Sequence, residues 1–148
     1  MPNLDEVAEL AAANGHLAIV STMRADGTIQ ASLVSAGVTT HPLTGREVLG
    51  FVAVSGVKVV NLRARPKATA TFHHGSKWIT FEGSTELAGP DDNELGLSQP
   101  RLAGLLRTIF TDAGGTHDDW PTYDRTMARE RRTAVLVQPT RIYSNPHI

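Results

Sequence analysis

Short turns join most of the strand-forming segments of this chain, and such hairpin connections favour an antiparallel sheet. The apolar segment 16–23 is followed by Asp26-Gly27, a dipeptide typical of tight hairpins, and residues 28–38 form the second arm. The predicted strands are 16–23, 28–38, 46–54, 68–73, 77–87, 133–137 and a last short one at 140–144. The spacing leaves little room for the helices that parallel strands require.

Four segments have helical signatures and lie at the start, middle and late parts of the chain. The first is Leu4 to Ala13, which has acidic residues in its first turn and Asn14-Gly15 as a stop. The others are predicted at about 58–65, from about 100 to Gly114-Gly115, and at 120–129 after the capping pair Asp118-Asp119. We therefore predict an α+β fold, built on an antiparallel sheet or small barrel of about six strands with peripheral helices, in a single domain spanning 1–148. A dinucleotide-binding fold is disfavoured because GxGxxG is absent.

The segment VSGVKVVNLRARPKATATF, from Val54 to Phe72, carries the strongest functional signal. Ser55 is suited to cap a helix, because its hydroxyl accepts a hydrogen bond from a free backbone N–H group. The remaining N–H groups and the helix dipole favour an anion, usually a phosphate, and Lys58 adds a mobile positive charge. We predict a phosphate site here. The alternative is a surface helix whose cations, Arg63 among them, face water.

Composition excludes several classes of function. The net charge is −1, which provides no global field for nucleic acid, and no Cys is present for disulfides, thiol nucleophiles or thiolate metal sites. The beginning, MPNLDEVAEL, has neither the basic nor the apolar region of a secretory signal, and no apolar run reaches the ~20 residues of a membrane span. We expect a soluble, cytoplasmic protein.

Nucleophilic and metal-based catalysis have little support in the sequence. No GxSxG motif is present, and Ser55-Gly56 is better explained by a helix cap. His73 and His74 are adjacent on a predicted strand and so point to opposite faces, and we expect no metal site. Trp78 is a candidate to stack on a flat ligand, although a position in the core is the more common role of an aromatic residue.

Four segments occur in an order and spacing typical of one protein family. The first hairpin runs from LAIVST through Asp26-Gly27 to Gln30, Ser32 and Val34, and follows an "LATxxxDGxPQxSxV" pattern. GVKVVNLRARPK and WITFEGSTEL follow "RxKxxNLRRDPR" and "WxxxxGxAxL". The late helix follows "HxDWxxYxxxMxxxRR" with His117, Asp119, Trp120, Tyr123, Met127, Arg131 and Arg132. Along nearly its whole length the chain resembles the split β-barrel proteins related to pyridoxamine 5′-phosphate oxidase, and most of all the actinobacterial branch that uses the deazaflavin coenzyme F420.

This resemblance implies a split β-barrel homodimer with the cofactor at the subunit interface. Lys58 and the backbone around Ser55 would hold the cofactor's phosphate and acidic tail, with Asn61 and Arg63 in support. Residues of the second strand would line the ring system, and Trp78 and the late helix would close the pocket from the partner subunit. The implied cofactor-binding residues are Gln30, Ser32, Val34, Ser55, Gly56, Val57, Lys58, Asn61, Arg63 and Trp78.

The resemblance also implies an activity, in which hydride passes between reduced F420 and a small conjugated substrate without a catalytic side chain. One departure concerns Gly56, because an arginine is common at this position of the family pattern. The absence of this cation weakens the expected grip on the phosphate or the acidic tail. Two alternatives remain, namely an FMN-dependent oxidase or reductase of the same fold and a non-catalytic cofactor-binding protein.

Overall fold

A computed structural model describes residues 2–54 and 56–145 of the chain. In chain order the elements are α1 (Leu4–Ala13), β1 (Leu17–Met23), β2 (Ile29–Thr40), β3 (Glu47–Ala53), α2 (Val57–Ala64), β4 (Lys67–His74), β5 (Lys77–Ala88), α3 (Gln99–Asp112), α4 (Trp120–Arg129) and β6 (Thr133–Ser144). The strands close into an antiparallel barrel in the order β1-β2-β3-β6-β5-β4. The predicted α+β fold with about six strands and peripheral helices is confirmed.

The helices begin and end where local capping and breaking residues place them. Asn3 accepts a hydrogen bond from the Glu6 backbone at 3.0 Å while the Glu6 carboxylate accepts one from the Asn3 backbone, a capping box that starts α1. Asp119 caps α4 in the same way through the backbone N–H of Thr122. The predicted bounds of both helices are therefore confirmed. None of the helices in the described ranges is long and apolar enough to cross a membrane.

Two hydrophobic clusters divide the interior. The first fills the barrel, where Phe51, Phe72 and Phe81 are fully buried together with residues of α1 and α2. The second lies between α3, α4 and the outer face of β3 and β6, and it includes Ile109 and Leu136. β3 and the first half of β6 are buried on both faces, and burial of apolar surface stabilises by ~25 cal/mol per Å². The helical layer therefore covers one side of the barrel.

Two glycines let the end of α3 approach the barrel closely. Gly37 on β2 and Gly50 on β3 are paired opposite each other in the antiparallel ladder. A Cβ atom on Gly37 would lie 2.2 Å from the carbonyl oxygen of Asp112, and one on Gly50 would lie 2.8 Å from the Thr39 side chain and 3.2 Å from Ile109. The backbone at the end of α3 consequently rests directly against Gly37, whereas the Ile109 side chain packs against Gly50.

The last two predicted strands form one continuous strand, which corrects the sequence-based expectation. β6 runs through Pro139 to Ser144, although proline lacks the N–H group that a central strand needs. The pairing with β5 shifts register between Glu82 and Gly83, and Gly83 lies opposite Pro139. A Cβ atom on Gly83 would lie 1.9 Å from the Gln138 carbonyl oxygen. The strand therefore passes the proline through an irregularity at Gly83 rather than ending there.

Candidate functional site

The barrel wall has a split along the first half of β2. Residues 29–35 pair with β1, whereas the ladder with β3 covers residues 36–40. Gln30, Ser32 and Val34 lie on the same face as the buried β1 residues opposite them, yet all three are only half-buried. The three second-strand residues predicted from the sequence therefore line this split together.

A cavity of about 650 Å³ lies between the split and the α3–α4 hairpin. Val34 and the end of β3 form one wall, and Ile109, Phe110 and Tyr123 form the facing wall. Lys58 enters from the first turn of α2. A volume of this size is within the usual range for cofactor and small-molecule sites.

Lys58 is a half-buried cation that is available to a ligand. It forms no salt bridge with another residue in the described ranges 2–54 and 56–145. Its ammonium lies 5.9 Å from the centre of the Phe51 ring, close enough for a weak cation–π contact. Burial lowers the pKa of this ammonium below its ordinary value. An anion in the cavity would replace the water that the Lys58 ammonium loses on burial. The ammonium would also attract this anion more strongly than it would at an open surface.

Asn61 and Gln30 belong to one buried hydrogen-bonded chain. The Asn61 side-chain amide donates to the Thr22 hydroxyl at 3.1 Å, and that hydroxyl donates to the Gln30 Oε1 atom at 3.2 Å. Asn61 is only 4% exposed, so its amide holds α2 against β1. These hydrogen bonds thus link the two predicted residues through Thr22. Asn61 is the buried end of the series, and Gln30 is the end that reaches the split.

Ser32 provides an unused hydrogen-bonding group within the same split. Its Oγ atom is buried and has no hydrogen-bond partner among the residues that the structure describes. A buried hydroxyl without a partner is destabilising by about 1–3 kcal/mol unless a ligand or water satisfies it. Ser32 is therefore placed to donate to, or accept from, a polar group of a bound molecule.

Arg63 lies at the other end of α2 and has a partner of its own. Its guanidinium makes two hydrogen bonds of 2.7 Å to the Asp92 carboxylate, whose side chain is 7% exposed. The hydrogen bond from Arg63 lowers the pKa of Asp92 below its ordinary value. Arg63 is not among the residues that line the cavity, so its predicted contact with phosphate stays a prediction.

The predicted phosphate loop has an open backbone. Gly56 is the N-cap of α2 and provides no side-chain cap, while the predicted cap Ser55 lies outside the described residues. Gly56 has an extended φ of 163°, and no atom lies within 4 Å of the position a Cβ would take. Val57 is exposed. The backbone at Gly56 and Val57 is therefore open to the approach of an anion.

Trp78 does not line the cavity within the chain. It begins β5, is half-buried, and packs edge-on against Tyr143 with ring centres 6.0 Å apart. Its backbone N–H donates to the Asn145 side chain at 3.0 Å. The expected contact of Trp78 with a partner subunit's cofactor stays a prediction.

Sequence reasoning expected the late helix to close the pocket of the partner subunit, whereas α3 and α4 form a wall of the cavity in their own chain. Phe110 packs against Tyr123 with ring centres 5.0 Å apart, and His117 stacks on Trp120 at 5.6 Å. The buried Tyr123 hydroxyl donates to the Leu106 carbonyl, and burial raises its pKa. Arg132 also lines the cavity. The late-helix pattern contained Tyr123 and Arg132, and it was the signal that could have placed them in the site.

These features fit a flavin or deazaflavin that carries a phosphate. The cavity offers an unpaired ammonium for the phosphate and apolar and aromatic walls for a flat ring, and the Ser32 hydroxyl lies in the split beside it without lining it. Among the described residues that line it, none is a carboxylate that would repel an anion. No group of three or more potential metal ligands occurs among the described residues.

The fold has counterparts among solved structures, although no protein-family model matches the chain. A conserved hypothetical protein from Mycobacterium tuberculosis aligns with a TM-score of 0.66 and 17% identity, over 100% of this chain and 91% of that one. A pyridoxamine 5′-phosphate oxidase-related, FMN-binding protein from Nostoc punctiforme gives 0.65 and 14%, over 97% and 83%. An F420 reductase gives 0.60 and 19%, over 97% and 98%. The chain thus has the split-barrel fold of pyridoxamine 5′-phosphate oxidase-like proteins, as the sequence resemblance implied.

Proposed function

We propose that this protein is a cytoplasmic F420-dependent oxidoreductase that transfers hydride between reduced F420 and a small conjugated substrate. The observation that carries the proposal is the unpaired, half-buried ammonium of Lys58 at a cavity of about 650 Å³ beside the split. Burial removes part of the water around this cation, and a bound anion would take the place of that water. The similarity of the fold to an F420 reductase and an FMN-binding protein supports a phosphate-bearing flavin-type ligand.

Each part of the site has a separate task in this proposal. Lys58 and the free N–H groups at the start of α2 bind the phosphate. Ser32 and Gln30 orient the ring from the split, and Phe110 and Tyr123 exclude water from the facing wall. The bound deazaflavin would supply the hydride, so no side chain of the chain has to act as a nucleophile.

A side-by-side titration of the purified protein with F420 and FMN tests the proposal. We expect F420 to bind more tightly, and the absorbance of reduced F420 to change on addition of a conjugated acceptor. Tighter binding of FMN with an oxidised-flavin spectrum would favour the FMN-dependent alternative. Binding of F420 with no turnover of any acceptor would favour a non-catalytic cofactor-binding protein. Binding of neither compound would exclude all three functions.

We also propose that two copies form a dimer through the outer face of β1 and β2. Large apolar side chains on this face are exposed, from 41% at Ile19 to 64% at Ile29. The exposed residues of the face are Leu17, Ile19, Met23, Ile29 and Leu33. Leu33 also lines the cavity, so a subunit packed on this face would reach the cavity mouth. Contiguous apolar patches of this kind are typical of protein interfaces.

Light scattering at micromolar concentration tests the dimer. We expect a dimer with an interface above roughly 1,000 Å². Ile29→Glu should give a monomer, because it places a charge in the centre of an apolar contact. Leu43→Glu is the matched control, since Leu43 is 53% exposed but lies in the turn between β2 and β3. A wild-type monomer, or equal effects of the two substitutions, would contradict the proposed interface.

A further inference from the structure

The cavity beside the split contains two cations that come from different walls. Lys58 belongs to α2, and Arg132 lies between α4 and β6. Among the described residues that line the cavity, these two are charged and both are positive. One phosphate at Lys58 would leave the second positive charge without a counterpart within the cavity.

The turn after α4 directs Arg132 towards the cavity. Arg131 adopts a left-handed conformation with φ of 53°, which ends the helix, and its side chain pairs with Asp91 on the exterior. The next backbone N–H, that of Arg132, donates to the Met127 carbonyl oxygen at 3.0 Å. The Arg132 side chain is 29% exposed. Arg131 thus ends in an exposed ion pair, whereas Arg132 lines the cavity beside the split and also, together with Arg131, a second pocket between α3 and α4.

The ion pair that Arg132 makes within the chain is easily exchanged for another. Its partner is the Glu130 carboxylate, two residues earlier, at 2.9 Å. Both side chains are partly exposed to water, and such local surface pairs contribute little to stability. Next to Met127 and Tyr123, where water is scarcer, a planar guanidinium can hold a carboxylate or phosphate through two parallel hydrogen bonds.

We propose that Arg132 is a second anion-binding residue of this cavity, which takes a carboxylate group while Lys58 takes the phosphate. The carboxylate belongs either to the glutamate tail of the cofactor or to the substrate. Arg132 would thus supply the cation that the family pattern places at position 56, where this chain has Gly56. The nature of the ligand rests on the proposed function, whereas the binding of two anionic groups does not.

Titration with pyrophosphate, a small probe with two linked anionic groups, tests the paired cations without any flavin. Isothermal calorimetry and thermal melting are carried out on the wild type, Arg132→Ala, Lys58→Ala and the control Arg129→Ala. Arg129 lies in the last turn of α4, is exposed, and is absent from the cavity lining. We expect at least a tenfold loss of affinity in the first two variants and less than a twofold change in the control. Arg132→Gln is a second variant in case the alanine variant folds poorly.

Binding of F420, of its tail-less dephosphorylated form and of FMN distinguishes the two sources of the carboxylate. If the tail binds Arg132, Arg132→Ala weakens F420 at least tenfold and the other two less than threefold. If the substrate binds there, cofactor affinities stay unchanged, and KM rises at least tenfold for acceptors with a carboxylate but not for their methyl esters. Glu130→Gln, which releases Arg132, should strengthen whichever interaction is present by severalfold.

Equal affinities of the wild type and Arg132→Ala for pyrophosphate and F420, together with unchanged KM values, would overturn the inference. Failure of the wild type to bind any of these anions would overturn it as well. If F420 and FMN fail to bind but pyrophosphate affinity depends on both cations, the proposed function is wrong and the inference stands. If F420 affinity depends on Lys58 but no measurement depends on Arg132, the inference alone is wrong.

Discussion

The two ends of α2 carry similar charges in very different surroundings. Near the start, Lys58 lines the cavity without a carboxylate partner in the described ranges, and burial lowers its pKa. Near the end, Arg63 is held by two hydrogen bonds to the Asp92 carboxylate, and its pKa is raised. The first charge is available to a ligand and the second is committed to the fold. Two cations on the same short helix therefore need not share a function.

The comparison predicts that substitutions at the two ends of α2 have opposite effects on ligand binding and on stability. Loss of Lys58 should change ligand binding and leave stability almost unaltered, because an unpaired, half-buried ammonium contributes little to the native state. Loss of Arg63 should change stability and leave ligand binding almost unaltered, because Asp92 would remain buried without its partner. Each substitution thus serves as the control for the other.

Lys58→Ala should have the largest effect on binding. The lost charge-assisted hydrogen bond contributes roughly 1.5–3 kcal/mol, or about ten- to a hundredfold in F420 affinity. Fluorescence titration gives the affinity, and a melting curve should show a midpoint close to that of the wild type. Unchanged affinity would place Lys58 among the ordinary solvated cations and remove the main support for the phosphate site.

Arg63→Ala should destabilise the fold by about 1–3 kcal/mol, since it leaves a buried carboxylate without its hydrogen bonds. Urea unfolding of this variant, of Asp92→Ala and of the double variant gives the coupling energy of the pair. F420 affinity should change less than threefold. A loss of affinity similar to that of Lys58→Ala would show that Arg63 also contacts the phosphate, as the sequence resemblance implied.

The pH dependence of the same pair sharpens this prediction. The folded pKa of Asp92 is depressed from its ordinary 3.8 by the Arg63 hydrogen bond, so the ionised form is favoured in the folded state. The stabilisation is present above the unfolded pKa and is lost as the pH falls through the folded pKa. The difference in unfolding free energy between wild type and Arg63→Ala should stay constant from neutral pH to about 5 and shrink below about 4.

Gly56→Arg should have the smallest effect. The extended φ of 163° and the open space around the Cβ position allow a side chain without strain, so the melting temperature should not fall. An added guanidinium should tighten F420 by about 1 kcal/mol, roughly fivefold, and FMN by less, because FMN lacks the glutamate carboxylates. Gly56→Gln is the uncharged control. Equal gains for the two cofactors would show that the acidic tail does not pass this residue.

Much of the fold was predictable because its signals are local. The Asn3 cap and the Asn14-Gly15 stop define α1, and Asp26-Gly27 defines the first hairpin. The continuity of β6 was not predictable in the same way, because Pro139 is accommodated by Gly83 on a strand 56 positions earlier in the sequence numbering. Proline usually ends a central strand, but here the glycine on the neighbouring strand β5 lets β6 continue past it.

The candidate site shows the same contrast between features with a local sequence signal and features that depend on distant residues. Gln30, Ser32 and Val34 lie on one face of β2, as alternation along one strand predicts, but of the three only Val34 lines the cavity. The commitment of Arg63 to Asp92 was not visible in the sequence, and the late-helix pattern marked Arg132 without placing it in this cavity. Both depend on residues brought together by the path of the chain around the barrel rather than by spacing along it.

The contact of α3 with Gly37 and Gly50 has a consequence for how this pocket can be redesigned. The two glycines set how closely the helix lies against the strands, and the same helix carries Ile109 and Phe110, which form a wall of the cavity. A methyl group at Gly37 would meet the backbone of Asp112 and would push this end of α3 away from the barrel, whereas one at Gly50 would meet only the side chains of Thr39 and Ile109. The capacity of the pocket can therefore be adjusted through Gly37, a position that does not line it, while the residues that bind the ligand stay unchanged.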